Sequence, residues 1–410
     1  RLERDLRARG VATHLARAIA PADQARIWKL RESSLGLSMA MKGDAKSVSF
    51  VEDTAVAPER LRDYIARFLE IVRRHGSTTG VYAHASVGCL HVRPVVNLKT
   101  DAGVHQFEAI ANDIAELVLE FGGALSGEHG DGLVRGPFVE RMFGSELYAA
   151  FRTIKRTFDP AGLFNPGKIV DAPPLTANLR YGVGYRTPEP ITFFDYDEHG
   201  GLGRAVEMCS GVGACRKTLD GTMCPSYMAT RDEAHSTRGR ANALRLALTG
   251  QLGAAGLESK EMAEAMSLCI SCKGCKRECP TGIDMAALKL EWQYHQNRYV
   301  GTSIRTRVLG GLPRIAPWAA KVRPLVNILG KLPLGRRLLG LAPARKLPQW
   351  HGSPWSDSEL PPARAGTTAP DVVLFVDTFT RWFEPEVPRA AKDLLEAGSW
   401  STQTVQSHPG

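Results

Sequence analysis

The densest chemistry in the sequence is Cys269-Ile-Ser-Cys272-Lys-Gly-Cys275-Lys-Arg-Glu-Cys279-Pro280. Three thiols at this even spacing can wrap one iron-sulfur cubane, while a fourth, turned aside by the proline, ligates a second cluster or pairs with a distant motif. Structural zinc usually takes two cysteine pairs separated by a longer loop and gives the trailing Cys-Pro no role. Upstream, Cys209, Cys215 and Cys224-Pro225 make a less regular cluster with the same Cys-Pro ending. If the motifs exchange ligands, Cys224, Cys269, Cys272 and Cys275 complete one [4Fe-4S] site. Cys209, Cys215 and Cys279 then offer only three thiolates. A second cluster needs a non-cysteine ligand, lacks an iron, or does not form, and spacing leaves all three open. His235 is a nearby donor whose plainer reading is a basic turn packed on the cluster region.

A second constellation is His84-Ala-Ser-Val-Gly-Cys-Leu-His91 with Gly127-Glu128-His129-Gly130. Two imidazoles and a carboxylate suit a catalytic divalent metal of the zinc or manganese type, leaving positions for a substrate's hydroxyl and carboxylate oxygens. By pattern alone the signal is weak, because histidines at such a spacing are more often unrelated and Glu128-His129 among glycines also reads as a polar turn.

The elements that must carry these residues follow from periodicity. Leu61, Ile65, Phe68, Leu69 and Val72 form one stripe of an amphipathic helix over 60–74. Runs 79–87 and 90–97 read as strands joined near Gly88, which puts the histidines on strands. A helix over 106–121 ends at Gly122, and Ser145 reads as the N-cap of a helix to Phe158. Helices are expected over 237–248, 259–268 and 283–299. A strand over 371–377 and a helix over 386–396 begin an α/β unit.

Seven of the eight cysteines fall between Cys209 and Cys279, which is no disulfide framework and fits a reducing, cytoplasmic setting. No apolar run reaches the roughly 18 residues of a membrane span. The net charge of +9 is unevenly spread, since residues 292–356 contain no Asp or Glu but many Lys and Arg. Short amphipathic helices on an anionic membrane would look like this; the preferred reading is a connector that packs on other domains, with nucleic-acid binding weaker still. Starting at Arg1 and ending in a polar tail, the chain reads as a fragment of a longer protein.

Trp28-Lys-Leu-Arg-Glu32, the His84/His91 pair, Ser126-Gly-Glu-His-Gly130 and Phe158-Asp-Pro-Ala-Gly-Leu-Phe-Asn-Pro-Gly-Lys168 resemble the C-terminal substrate domain of FAD-linked oxidases acting on D-lactate, D-2-hydroxyglutarate or glycolate. The cysteine region resembles the ferredoxin-like domain fused to that domain in large bacterial dehydrogenases. The resemblance implies an α+β substrate domain over 1–171, a linker over 172–204 and a mainly α-helical ferredoxin-like iron-sulfur domain over 205–297. A basic connector over 298–369 and the start of a truncated α/β domain over 370–410 follow.

The same resemblance implies metal ligation by His84, His91 and Glu128, with His129 as general base and Arg31 holding the substrate carboxylate. It places Asn165 and Lys168 on the flavin side. FAD itself is implied by the resemblance alone, because no phosphate loop is present and the dinucleotide domain would precede Arg1. Where relatives carry H-x-G-D-G-N-L-H this chain has His-Ala-Ser-Val-Gly-Cys-Leu-His, and a polar position becomes Arg93. Arg93 could hold a distal carboxylate, favouring 2-hydroxyglutarate over lactate, or pair with an acid; Lys46 is a second substrate candidate. The implied partners are a small 2-hydroxy acid and a quinone or other electron carrier, with homo-oligomeric assembly and peripheral contact at the inner membrane face. Rival expectations are a non-catalytic iron-sulfur electron-transfer subunit and a zinc-stabilised interaction module.

Overall fold

The computed structural model describes residues 2–11, 13–333, 337, 340–342, 344–360 and 369–405, so parts of the basic stretch and of the connector after it lie outside the described residues. The chain divides into two compact units, 1–296 and 297–410.

In the first unit, helices α1 (Leu2–Ala8) and α2 (Pro21–Met39) precede strands β1 (Lys46–Ser47) and β2 (Thr54–Ala55). Helix α3 (Leu61–Arg74), strands β3 (Thr79–His84) and β4 (Cys89–Val96) and helices α4 (Asp101–Glu120) and α5 (Val139–Phe158) follow. Strand β4 is central, antiparallel to β1, β2 and β3. Because side chains alternate along a strand, Leu90, Val92 and Val96 enter the core under α3 and α4, while His91 and Arg93 face the other way. Tyr64 and Phe68 of α3 are fully buried in that core, and Tyr64 meets Phe121 edge to face at 5.3 Å. Burying a side chain the size of Phe68 contributes about 2–3 kcal/mol.

Helix α4 starts earlier than the apolar period suggests, at Asp101, because the Thr100 side chain caps it by accepting from the Gly103 N–H. Helix α5 also starts earlier, at Val139, and breaks at Gly144, whose φ of 82° no helix accommodates; Ser145 follows the break. Helix α2 carries no clear amphipathic stripe, so periodicity gave no reason to expect it. Its Ile27, Trp28, Leu30 and Leu37 are exposed.

The cysteine region adds α6 (Leu202–Glu207), α7 (Pro225–Thr230), α8 (Thr237–Leu248), α9 (Lys260–Ser267), α10 (Gly274–Glu278) and α11 (Met285–Tyr299). Ser236 and Ser259 cap α8 and α9 with their side chains. Met223, Met262, Met266 and Met285 fill this second core, suiting an irregular space with a flexible side chain. The two cores are joined by ions: Arg204 grips Asp44 with Nε at 3.0 Å and Nη2 at 2.8 Å, and Lys99 bridges Asp44 at 2.9 Å to Glu207 at 2.7 Å. Gly36 of α2 is pressed on Pro280; a Cβ there would fall 2.1 Å from the proline Cβ.

The second unit contains α12 (Ile304–Gly310), α13 (Leu312–Lys321), α14 (Arg323–Lys331), β5 (Val372–Leu374), α15 (Thr378–Phe383), α16 (Glu386–Ala397) and β6 (Thr402–Thr404). Strands β5 and β6 pair in parallel, so the strand and helix expected near the end of the sequence are followed by a second strand that was not expected. Among the described residues no helix is long and apolar enough to cross a membrane.

Candidate functional site

Two groups of chemistry-bearing residues stand out in the first unit. The first gathers at the polar face of β3 and β4. His84 ends β3, His91 lies on β4, and the loop after Leu125 brings in Glu128 and His129. Glu128 Oε1 lies 3.5 Å from His84 Nε2, 3.0 Å from His91 Nε2 and 3.3 Å from His129 Nε2. Ligand atoms of His84, His91 and Glu128 all fall within 4.8 Å of one another. His91 is buried and neither ring nitrogen makes a hydrogen bond, even at 3.0 Å from the carboxylate. An orphaned buried imidazole facing a carboxylate and a second imidazole fits a divalent cation. Burial lowers the His91 pKa, keeping the ring neutral and its lone pair available.

Asp53, which sequence reasoning missed, shapes the loop. It is fully buried, with φ at 73°, and its carboxylate accepts the Ser126 hydroxyl at 2.6 Å and the backbone N–H groups of Glu128 at 2.9 Å and His129 at 2.8 Å. Burial alone would raise its pKa, but these bonds outweigh it and hold the carboxyl below its usual range. Arg135 closes the loop from below, donating to Gly130 O and Glu52 O. Cys89, the cysteine outside the clusters, points at Asp53, and burial with that contact pushes its thiol up to about 12. The only hint in the sequence was an acidic pair, Glu52-Asp53, set among apolar residues.

The other expected site residues divide. Arg31 of α2 reaches over the site, its Nη2 donating to His84 Nδ1 at 3.4 Å and its guanidinium 5.4 Å from both the Trp28 and Tyr82 ring centres. Arg93 is buried and bound to Glu52, Nε to Oε2 at 2.6 Å, and to Ser49. Glu52 presents its other oxygen 3.7 Å from His129 Nδ1, so one acid links the two residues. Lys46 donates to Met41 O, and its electrostatic neighbours are Glu207, Lys99, Asp44 and Arg204, the ions between the two cores. Burial lowers its pKa. Asn165 and Lys168 lie on the exposed turn after α5, beside the exposed Leu163 and Phe164.

The second group is the cysteines. Cys224, Cys269, Cys272 and Cys275 line one cavity, with Met223, Met285 and Ala286 among its walls. Cys209, Cys215 and Cys279 line another. Thr237 lines both, and the pairing across motifs is the one expected from the two Cys-Pro endings. Thiolates around one zinc ion would sit about 4 Å apart, yet among the described residues no three cysteine sulfurs lie within 4.8 Å of one another. That spacing is wider than one zinc ion requires and fits the larger iron-sulfur core.

Burial raises the thiols of Cys209, Cys215 and Cys275, a cost that ligation as thiolates must repay. Arg240, fully buried beside the first cavity, donates to Ala265 O, to Ser226 Oγ and at 3.5 Å to Cys224 Sγ, with no carboxylate partner among the described residues. A buried cation without an acid fits an anionic cluster. Glu278 ties the motifs together by accepting the Thr222 and Met223 N–H groups, and those bonds bring its carboxyl down to about 2. His235 lines neither cavity; its Nδ1 lies 3.2 Å from Thr230 Oγ1.

Known families account for both groups. Residues 2–169 match the family of FAD linked oxidases, C-terminal domain, and residues 205–283 match the 4Fe-4S dicluster domain. The chain joins these two domains. It is 31% identical to the D-2-hydroxyglutarate dehydrogenase of Escherichia coli over 76% of this chain and 34% of the relative. The Pseudomonas putida protein of the same name is also 31% identical, over 90% of this chain and 41% of its own length. A D-lactate dehydrogenase of Archaeoglobus fulgidus is 33% identical over 36% of the chain and 31% of the relative. The FAD linked oxidase domain thus carries the histidine site and the dicluster domain the two thiol cavities.

Proposed function

We propose that this chain is the substrate-binding and electron-relay part of an FAD-linked dehydrogenase that oxidises a D-2-hydroxy acid to the 2-oxo acid. The favoured substrate is D-2-hydroxyglutarate, ahead of D-lactate, and the final acceptor is a quinone or another carrier. The observation that carries this reading is the convergence of His84, His91 and Glu128 with His129 and Arg31 at one face of β3 and β4. The names of the longer relatives support the substrate class.

His84, His91 and Glu128 would hold a divalent cation, which lowers the pKa of a substrate hydroxyl. FAD would take the hydride, and the iron-sulfur clusters would carry electrons onward one at a time. The rest falls to the side chains. With Glu128 engaged by the cation, Glu52 beside His129 Nδ1 would hold the ring proton there and leave Nε2 as the base that removes the hydroxyl proton. Asp53 keeps that ring in place through the backbone. With Nε2 given to a cation, His84 would carry its ring proton on Nδ1, so Arg31 would lose that acceptor and its guanidinium would be free to fork onto the substrate carboxylate. Asn165 and Lys168 would lie toward the flavin.

The test is anaerobic single turnover of the holoprotein with D-2-hydroxyglutarate and with D-lactate. Flavin bleaching that slows about 10²–10⁴-fold in His129→Ala is expected for a general base. Unchanged bleaching in that variant, or no bleaching with either acid, would discard the reading.

A further inference from the structure

A dicluster domain implies two four-iron clusters, but the second cavity does not supply the ligands for one. We propose that Cys209, Cys215 and Cys279 hold a three-iron [3Fe-4S] cluster, with Val212 occupying the position of the missing fourth ligand. This rests on the iron-sulfur reading of the thiol cavities.

The backbone makes the correspondence residue by residue. In the loop of the first site, Cys272 stands midway between Cys269 and Cys275 and is flanked by Ser271 and Lys273 at φ 54° and 59°. In the second, Val212 stands midway between Cys209 and Cys215 and is flanked by Gly211 and Gly213 at φ 85° and 81°. A left-handed residue on each side of the middle position gives both loops the same turn around their cavity. Cys272 and Val212 are both exposed, and each lines its own cavity. Val212 therefore holds the place where the first site has a thiol, and an isopropyl group has no lone pair to give iron.

Nothing else in the cavity supplies the ordinary alternatives. Its remaining polar side chains are Ser210, Thr237, Arg238 and Thr281; no histidine or carboxylate lines it among the described residues. Thr281 Oγ1 is engaged with Cys279 Sγ at 3.3 Å. Cys89, the one remaining cysteine, is held against Asp53 in the substrate domain. Each iron needs one terminal ligand, so three thiolates retain three irons and leave a fourth exchangeable.

The position matters for electron flow. Pro280, beside Cys279, is the residue on which Gly36 of α2 presses, so the three-thiolate site meets the substrate domain at this point. The oxidised three-iron cluster, with three ferric ions and four sulfides, takes a single electron and releases no ligand in doing so.

The experiment is anaerobic purification of the holoprotein, iron and sulfide analysis, and EPR before and after dithionite, on the native chain and on Val212→Cys and Cys215→Ala. The native protein should contain about seven irons and eight sulfides per chain and show the spin-half signal of an oxidised three-iron cluster that dithionite abolishes. Val212→Cys should gain about one iron and lose that signal. Cys215→Ala should lose the signal while keeping about four irons at the other site. About eight irons without the oxidised signal, about four irons in the native protein, or a signal that arises only after exposure to air would each overturn the three-iron assignment and leave the iron-sulfur reading standing. Zinc without sulfide would overturn both.

Discussion

The buried carboxylate of Asp53 accepts the backbone N–H of His129 at 2.8 Å, so the position of the imidazole depends on a residue that need not touch substrate. The same carboxylate takes the Glu128 N–H and the Ser126 hydroxyl. Replacing it with alanine strands these donors, which costs about 2–4 kcal/mol. Asp53→Asn tolerates the left-handed backbone but turns one acceptor into a donor facing an N–H. Thermal unfolding should therefore rank native above Asn and Asn above Ala. In the Asn variant, kcat should fall more than KM rises, because the loop is displaced rather than the substrate contacts removed. Equal stability of the three proteins would show that the loop is held in another way.

How much of this was legible in the sequence follows from what each signal depends on. The helix of Leu61, Phe68 and Val72 and the strands carrying His84 and His91 were readable because apolar periodicity is a local property. The split of the seven clustered cysteines into sets of four and three was readable because the two Cys-Pro endings suggest an exchange between motifs, and the cavities follow it. Asp53, Glu52 and Arg240 were not readable. Their roles depend on burial and on partners from Ser126, His129, Arg93 and Ala265, which only the fold brings together. Helix α2 escaped because its apolar residues do not lie on one face.

Removing one proposed metal ligand at a time should separate site chemistry from folding. His84 is partly exposed at a strand end, whereas His91 is buried and stacks on Tyr82 at 4.5 Å. His84→Ala should release the divalent ion with little change in melting temperature, because the removed ring fills no core space. His91→Ala should release the ion and also destabilise by about 1–3 kcal/mol through the cavity left beside Tyr82. Elemental analysis of dialysed holoprotein, with the melting curve measured alongside, reads both. Retention of a stoichiometric divalent ion in His84→Ala would remove this residue from the ligand set.

Acid should weaken the contact between α3 and α4 in a calculable direction. Asp113 of α4 accepts from Arg74 at 2.8 Å and lies 2.7 Å from His75 Nε2 just past α3. Burial alone would raise the Asp113 pKa, but the bonds from His75 and Arg74 outweigh it and lower the carboxyl below its ordinary value. A carboxylate depressed in the folded state contributes in full above its unfolded pKa of about 4, and the contribution fades as pH falls through the folded value. The group is partly solvated, so Asp113→Asn should cost about 0.5–1 kcal/mol at neutral pH. The melting curves of native and variant proteins should converge as pH is lowered below about 4. A gap independent of pH would assign the loss to packing.

The charge on Arg240 should set the potential of the four-thiolate site. Its guanidinium is fully buried, 3.5 Å from Cys224 Sγ, and its other bonds go to a carbonyl and a hydroxyl rather than to an acid. Reduction adds negative charge to a cluster, so a nearby buried cation favours the reduced form, and its removal favours the oxidised one. Arg240→Met keeps most of the volume and deletes the charge, and should shift this cluster's reduction potential to a more negative value. Arg240→Lys should restore part of the difference while losing the bidentate reach to Ser226 and Ala265. EPR-monitored redox titration distinguishes a charge effect from simple loss of the cluster, because the iron content of all three proteins should stay the same. A potential that does not move in Arg240→Met, with the cluster intact, would mean that solvent or the backbone N–H groups dominate the site instead.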